Sequence, residues 1–126
     1  MTSDHKQPRE KRFPCHGRAG LFLADSTGGT PATERLHGQL LDISCHGASL
    51  ALSEIITDRK HMAYTPMESD LFTLYIVLYL EDGELVVPAH TTWFNKKLSK
   101  EELPFRIGME FLKPILSEHL KKIRTP

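Results

Sequence analysis

The chain has 126 residues, the length of one domain, and 40% of them are hydrophobic, which is sufficient for a buried core without a metal or disulfide. Its formal net charge is zero, and this balance argues against a general binder of polyanions. Two cysteines do not make a disulfide framework, and no apolar run has secretory or membrane-spanning length, so we expect a cytoplasmic protein with no membrane contact.

The first residues form a basic segment. Residues 1–13 are polar and charged, and Pro8 and Pro14 disfavour a helix there. This pattern predicts a flexible N-terminal arm over residues 1–13, followed by a single domain over residues 14–126. The first 18 residues carry the basic Lys6, Arg9, Lys11, Arg12 and Arg18, against the acidic Asp4 and Glu10.

The next segments read as strands. Residues 17–25 are strand-like, and residues 26–33 are a loop rich in Gly, Ser, Thr and Pro. Residues 36–44 and 48–53 predict a strand pair, which is antiparallel because the connection between the two strands is too short for a crossover. In the first strand of the pair, Leu41 and Ile43 are expected to share the face that points into the core.

The second half gives the clearest strand signal. Residues 54–68 are ambiguous between a short helical turn and a loop, whereas residues 70–96 alternate on both sides of Asp82-Gly83, a dipeptide that favours a hairpin turn. Residues 105–112 predict a last strand, and residues 113–126 predict a helix with Pro114 in its first turn. About six antiparallel strands favour an all-β, six-stranded closed barrel with a C-terminal helix.

The corner Asp42-Ile43-Ser44-Cys45-His46-Gly47 joins the first strand pair. One interpretation is turn chemistry, because Asp and Ser side chains bond nearby amides and Gly tolerates unusual backbone angles. The other is a ligand site. Asp42 and Ser44 have the same parity, so we expect both to face outward, where a carboxylate can accept from guanine and a hydroxyl can contact phosphate.

The arm offers the cations that such a site needs. Arginine forks match phosphate oxygens and also the O6/N7 edge of guanine. Arg9 and Arg12 are therefore candidates for the cationic side of the site, together with Lys11. The alternative for the arm is a solvated basic tail.

These features together resemble the PilZ domain, a bacterial receptor family for the second messenger cyclic di-GMP. The family carries an Arg-x-x-x-Arg motif before its first strand and an Asp/Asn-x-Ser-x-x-Gly motif at a later strand turn. Asp42, Ser44 and Gly47 match the second motif, and residues 89–94 and 105–112 resemble the family's fifth and sixth strands. The resemblance implies a PilZ-like barrel and a ligand site formed by Arg9, Lys11, Arg12, Asp42, Ser44 and Gly47.

The arm departs from the family motif, because Arg9 and Arg12 are one residue too close to be its two arginines. If Lys11 is aligned with the first arginine of the motif instead, the second position holds Cys15. Two readings therefore stay open. In the first, the chain is a cyclic di-GMP receptor and adaptor, whose arm becomes ordered on binding and which signals through an unidentified partner protein. In the second, it is a degenerate PilZ-like interaction module that does not bind the nucleotide.

Other features of the sequence give weaker evidence for a function than the corner and the arm do. His46 and Trp93 are possible further ligand contacts, through the turn and through base stacking. The repeated Cys-His-Gly invites a zinc site, but neighbouring residues of an extended chain point apart, so no metal and no cofactor are expected. No catalytic constellation is visible, so no enzyme is expected. A nucleic-acid-binding barrel is a third alternative, disfavoured by the neutral charge and the few candidate stacking aromatics.

Overall fold

The computed structural model describes residues 13–14, 17–97 and 102–124. Its strands are β1 (Phe13–Pro14), β2 (Arg18–Asp25), β3 (Leu36–Ile43), β4 (Gly47–Leu52), β5 (Ile56–Thr57), β6 (Lys60–His61), β7 (Phe72–Leu80), β8 (Gly83–Lys96) and β9 (Phe105–Phe111). Two short helices are α1 (Tyr64–Glu68) and α2 (Ser117–Lys121).

Six of the strands close into an antiparallel barrel, as the sequence predicts. They are hydrogen-bonded in the order β3-β2-β7-β8-β9-β4, and pairing of β4 with β3 completes the ring. Closure leaves no edge among these six strands, so their backbone groups find partners within the barrel. The short β1 pairs with the end of β3, where Phe13 lies opposite Ile43 and Pro14 opposite Asp42.

Alternation along the strands fills the interior. Inward positions of β2, β4, β7 and β9 carry large aliphatic side chains, all with no exposed surface; among them are Leu21, Leu23, Leu50, Leu52, Leu74, Ile76, Leu78, Ile107 and Met109. The β7–β8 hairpin forms where the sequence predicts it, although Glu81 and Asp82 make the turn and Gly83 begins the return strand opposite Leu80. The φ of Gly83 is +146°, an angle that favours glycine.

The prediction that Leu41 of β3 points into the core is wrong. The register of β3 against β4 shifts between Leu40 and Asp42, which marks a β-bulge. The extra residue lets Leu40 and Ile43 both point inward, at 0% and 3% exposure, while Leu41 is only half-buried. Simple alternation fails here because a bulge changes the parity of every residue that follows it.

Residues 54–68, ambiguous in the sequence, hold a small hairpin and a helix. β5 pairs with β6 around Asp58 and Arg59, whose φ values of 52° and 65° suit a tight hairpin turn. His61 stabilises the start of α1, because its Nδ1 accepts hydrogen bonds from the backbone N–H groups of Ala63 and Tyr64, each at 3.1 Å.

The C-terminal helix forms but is shorter than expected. It begins at Ser117, so the prediction that Pro114 lies in its first turn is wrong. The preceding residues are extended because the N–H of Ile115 donates to the carbonyl of Cys45, and because the side chain of Ile115 is buried against the core. After the helix, Ile123 pairs with Leu80, so this segment connects the β3–β4 turn to the β7–β8 hairpin. No helix of the described residues is long and apolar enough to cross a membrane.

Candidate functional site

The β3–β4 turn is held together by the hydroxyl of Ser44. Its Oγ accepts from the backbone N–H of His46 at 3.2 Å and from that of Gly47 at 3.3 Å. The backbone N–H of Ser44 donates to the carbonyl of Gly47 at 2.9 Å. The prediction that Ser44 faces outward beside Asp42 is wrong, since Ser44 is only 2% exposed. The reason is that the chain leaves the strand after Ile43, so strand parity no longer applies and the turn takes the hydroxyl.

Asp42 lies on the outer face of β3 and is half-buried. One of its carboxylate oxygens, Oδ2, accepts a hydrogen bond from the hydroxyl of Ser49 at 2.7 Å. Ser49 is the residue opposite Asp42 in the β3–β4 register, so the strand pairing itself sets this contact. The hydrogen bond fixes the carboxylate on the sheet surface, next to the position where β1 joins β3.

The row that contains Asp42 and Ser49 continues across two more strands. Ser49 is paired with Gly108 of β9, and Gly108 is paired with Trp93 of β8. Four outward positions on four adjacent strands thus follow one line over the barrel surface. We call these four residues, Asp42, Ser49, Gly108 and Trp93, the outer row.

The indole of Trp93 lies over Gly108. A Cβ atom added at Gly108 would come within 2.0 Å of the indole Nε1 and 2.2 Å of Cε2. The pyrrole part of the ring therefore occupies the space that any side chain at position 108 would need. Because Trp93 is still 42% exposed, its ring both covers the strand and presents surface to solvent.

The remaining predicted residues divide into two groups. Gly47 is buried at the start of β4, opposite Glu110 of β9, and His46 is exposed in the turn, with its carbonyl accepting from the N–H of Phe111 at 2.7 Å. Arg9, Lys11 and Arg12 lie outside the described residues, as does all of the predicted arm except Phe13. The structure thus brings Asp42 and Trp93 onto one surface and places Ser44 and Gly47 in the turn beside it.

Ser49 and Gly108 belong to this surface and were missed in the sequence. Each carried a signal: Ser49 is the one polar residue within the apolar β4, and Gly108 is a glycine in the middle of a strand, which often marks a close approach of another group. Cys45 is a free thiol in the turn. Within the described residues, no three His, Cys, Asp or Glu side chains are grouped as a metal site would require.

A protein family and a solved structure match this chain. The family model described as PilZ domain matches residues 6–125 of the chain. No curated protein matches. Among solved structures, a match is the crystal structure of the PilZ domain of CeSA from a cellulose-synthesizing bacterium, which is 18% identical, with 88% of this chain and 89% of that chain covered and a TM-score of 0.46. Since the family model spans nearly the whole chain, the protein belongs to the PilZ domain family.

Proposed function

We propose that this protein is a receptor for cyclic di-GMP that acts as a cytoplasmic adaptor. PilZ domains form a family of cyclic di-GMP receptors and are ligand-binding rather than catalytic modules. The observation that carries the proposal for this chain is the outer row, which sets a carboxylate and an indole on one continuous surface beside the motif turn.

The chemistry of the outer row suits a guanine base. A carboxylate accepts from the N1 and N2 hydrogens of guanine, and each carboxylate has about four acceptor positions, one of which accepts from Ser49 in Asp42. An indole stacks on a purine face. Asp42 and Trp93 therefore supply edge recognition and stacking, while Ser44 and Gly47 hold the turn in shape.

The cations would come from the segment next to β1. Phe13 pairs with Ile43 and Pro14 with Asp42, so the chain passes the site directly after Arg12. Arg12, Lys11 and Arg9 are the next basic residues towards the N-terminus, and arginine binds phosphate through two parallel hydrogen bonds. Ordering of the arm over the bound nucleotide would create a surface that a partner protein recognises.

Calorimetry with cyclic di-GMP tests the proposal. Asp42→Ala should weaken binding by about tenfold or more, because a hydrogen bond to a charged group contributes about 1.5–3 kcal/mol. Asp42→Asn should retain more affinity, since an amide oxygen still accepts from guanine. Asp70→Ala is the matched control, as Asp70 is exposed in a loop before β7. Equal affinity of the parent and Asp42→Ala would exclude Asp42 from the site.

A second candidate is a PilZ module that binds a partner protein without the nucleotide. The arm sequence favours it, because Arg9 and Arg12 are spaced more closely than the family motif requires. Absence of a heat signal with cyclic di-GMP at millimolar concentration, at two temperatures, would select this candidate over the receptor.

A further inference from the structure

The outer surface of the barrel on β2 and β7 carries an apolar cluster that is separate from the core. Phe22, Ala24 and Val77 are buried there, although their side chains point away from the barrel interior. The rings of Phe22 and Tyr75 are stacked, with their centroids 5.3 Å apart, and Tyr79 packs against the same cluster. Outward positions of an antiparallel sheet usually face water, so this surface departs from the ordinary pattern.

Basic side chains lie on these rings. The guanidinium of Arg35 is 5.8 Å from the ring centroid of Phe22, and that of Arg18 is 5.8 Å from the centroid of Tyr79. The hydroxyl of Tyr79 is 2.8 Å from Nε2 of His37. The rings and cations therefore hold one another in place. We call Arg18, Phe22, Arg35, Tyr75 and Tyr79 the arginine–tyrosine face.

An open cavity of about 560 Å³ adjoins this face at the β7–β8 hairpin. Arg18, Tyr79, Glu84 and Arg124 are among the residues that line it. Glu84 is already paired with Arg35, at 3.1 Å between Oε2 of Glu84 and Nη1 of Arg35. Within the described residues, neither Arg18 nor Arg124 has a carboxylate at ion-pair distance. Arg18 and Arg124 thus bring two positive charges to the lining of the cavity, and the guanidinium of Arg18 lies over the ring of Tyr79.

We propose that the arginine–tyrosine face and this cavity form the docking surface for an acidic, partly apolar segment of a partner protein. Tyrosine and arginine are enriched among the residues that dominate binding energy at protein interfaces. Arginine matches a carboxylate with two parallel hydrogen bonds. Because the face is already ordered by stacking, little side-chain freedom is lost on binding. The inference names the partner surface of the proposed adaptor and so rests on the proposed function.

The mixed charge of the cavity favours a peptide over a phosphate compound. Glu81 and Glu84 also line it, so the lining carries both positive and negative charges, whereas the charges of a phosphate group share one centre and cannot avoid the glutamates. A peptide carries separate carboxylates for Arg18 and Arg124, and its amide N–H groups can donate to the glutamates. The exposed Val86, on the strand that pairs with β7, extends the apolar part of the surface for an aromatic or aliphatic side chain.

The test uses the full chain and a selected peptide as the probe. Random 12-residue peptides are selected by display against the protein, and the strongest is synthesised with fluorescein and titrated by anisotropy. We expect at least two Asp or Glu beside an aromatic or leucine residue. The affinity should fall at least tenfold in the double variant Arg18→Gln/Arg124→Gln. Arg59→Gln, which removes an exposed arginine from the β5–β6 turn, should bind as the parent does.

Three results would overturn the docking surface: selected peptides without acidic residues, unchanged affinity in the double variant, or displacement of the peptide by millimolar pyrophosphate, which would indicate an anion site. Thermal unfolding of the double variant confirms that it is folded. Calorimetry with cyclic di-GMP separates the two proposals. If the parent protein binds the peptide but not the nucleotide, only the receptor function is contradicted. If the parent binds the nucleotide but the double variant binds the peptide as tightly as the parent does, only the docking surface is contradicted.

Discussion

The contact between Trp93 and Gly108 makes a sharp prediction for Gly108→Ala. The new Cβ would be 2.0 Å from the indole Nε1, whereas carbon and nitrogen atoms in contact are about 3.5–4.0 Å apart. The ring must therefore move by about 1.5 Å or more, or the strand must shift. Overpacking of this kind costs about 1–3 kcal/mol of folding stability. Loss of one stacked base costs a further amount in binding, about 1–3 kcal/mol, which is roughly 5- to 150-fold in affinity.

The single tryptophan of the chain makes this displacement measurable. We expect the emission maximum of Gly108→Ala to shift to longer wavelength, since the displaced indole meets more water, and calorimetry to show weaker binding of cyclic di-GMP. Gly20→Ala is the control. Its added Cβ would lie no closer than 3.4 Å to any neighbour, the hydroxyl of Tyr79, so both readouts should match the parent.

A double variant separates the clash from other effects. With Trp93→Ala in place, the three atoms nearest to the methyl group that Gly108→Ala adds are gone, since all three belong to the indole, and the extra cost of that methyl group in urea unfolding should fall close to zero. Nucleotide affinity of the double variant should equal that of Trp93→Ala alone. If Gly108→Ala leaves the emission maximum and the affinity unchanged, the indole does not pack on Gly108 in solution and the stacking role of Trp93 is wrong.

Two further predictions concern the turn and pH. Ser44→Ala should lower the free energy of unfolding by about 1–3 kcal/mol, because the N–H groups of His46 and Gly47 lose their acceptor; a loss under about 0.5 kcal/mol in urea titration would contradict that role. Burial lowers the pKa of His61 from its usual value of about 6.5, so this side chain takes up a proton more readily in the unfolded chain than in the folded one. The contribution of His61 to the free energy of unfolding should therefore be complete above about pH 6.5 and should be lost as the pH falls below that value. The urea midpoint should therefore decrease from pH 7.5 to 5.5, and less steeply in His61→Asn, where an amide oxygen can still accept from Ala63 and Tyr64; equal slopes would show that His61 does not contribute.

The sequence predicted the barrel because its signals were local and repeated. Alternation over residues 70–80 places Leu74, Ile76 and Leu78 inside, and the Asp82-Gly83 pair marks the hairpin. Each of these patterns depends only on neighbours within one strand or turn. The same reasoning placed Asp42 on the outer face, where the structure has it, half-buried beside Ser49.

The errors came from features that no single strand encodes. The bulge between Leu40 and Asp42 results from pairing with β4, so alternation within β3 assigned Leu41 to the core incorrectly. Helical spacing suggested that the last helix starts near Pro114, but the bond from Ile115 to the carbonyl of Cys45 holds that segment extended. The contact of Trp93 with Gly108 joins two strands and follows a second bulge, between Thr91 and Trp93, which the sequence does not reveal.

The three motif residues at the β3–β4 turn, Asp42, Ser44 and Gly47, therefore have two different roles. Ser44 and Gly47 are explained by the turn itself, since one supplies the acceptor and the other supplies an N–H to it. Any chain that makes this corner benefits from them, whether or not it binds a nucleotide. Asp42 is different, because its carboxylate lies on the outer face of β3, where it accepts a hydrogen bond from Ser49 of the neighbouring strand. The case for ligand binding thus depends on Asp42, on Trp93 and on the basic residues before β1, and the variants that decide it are those that leave Ser44 and Gly47 in place.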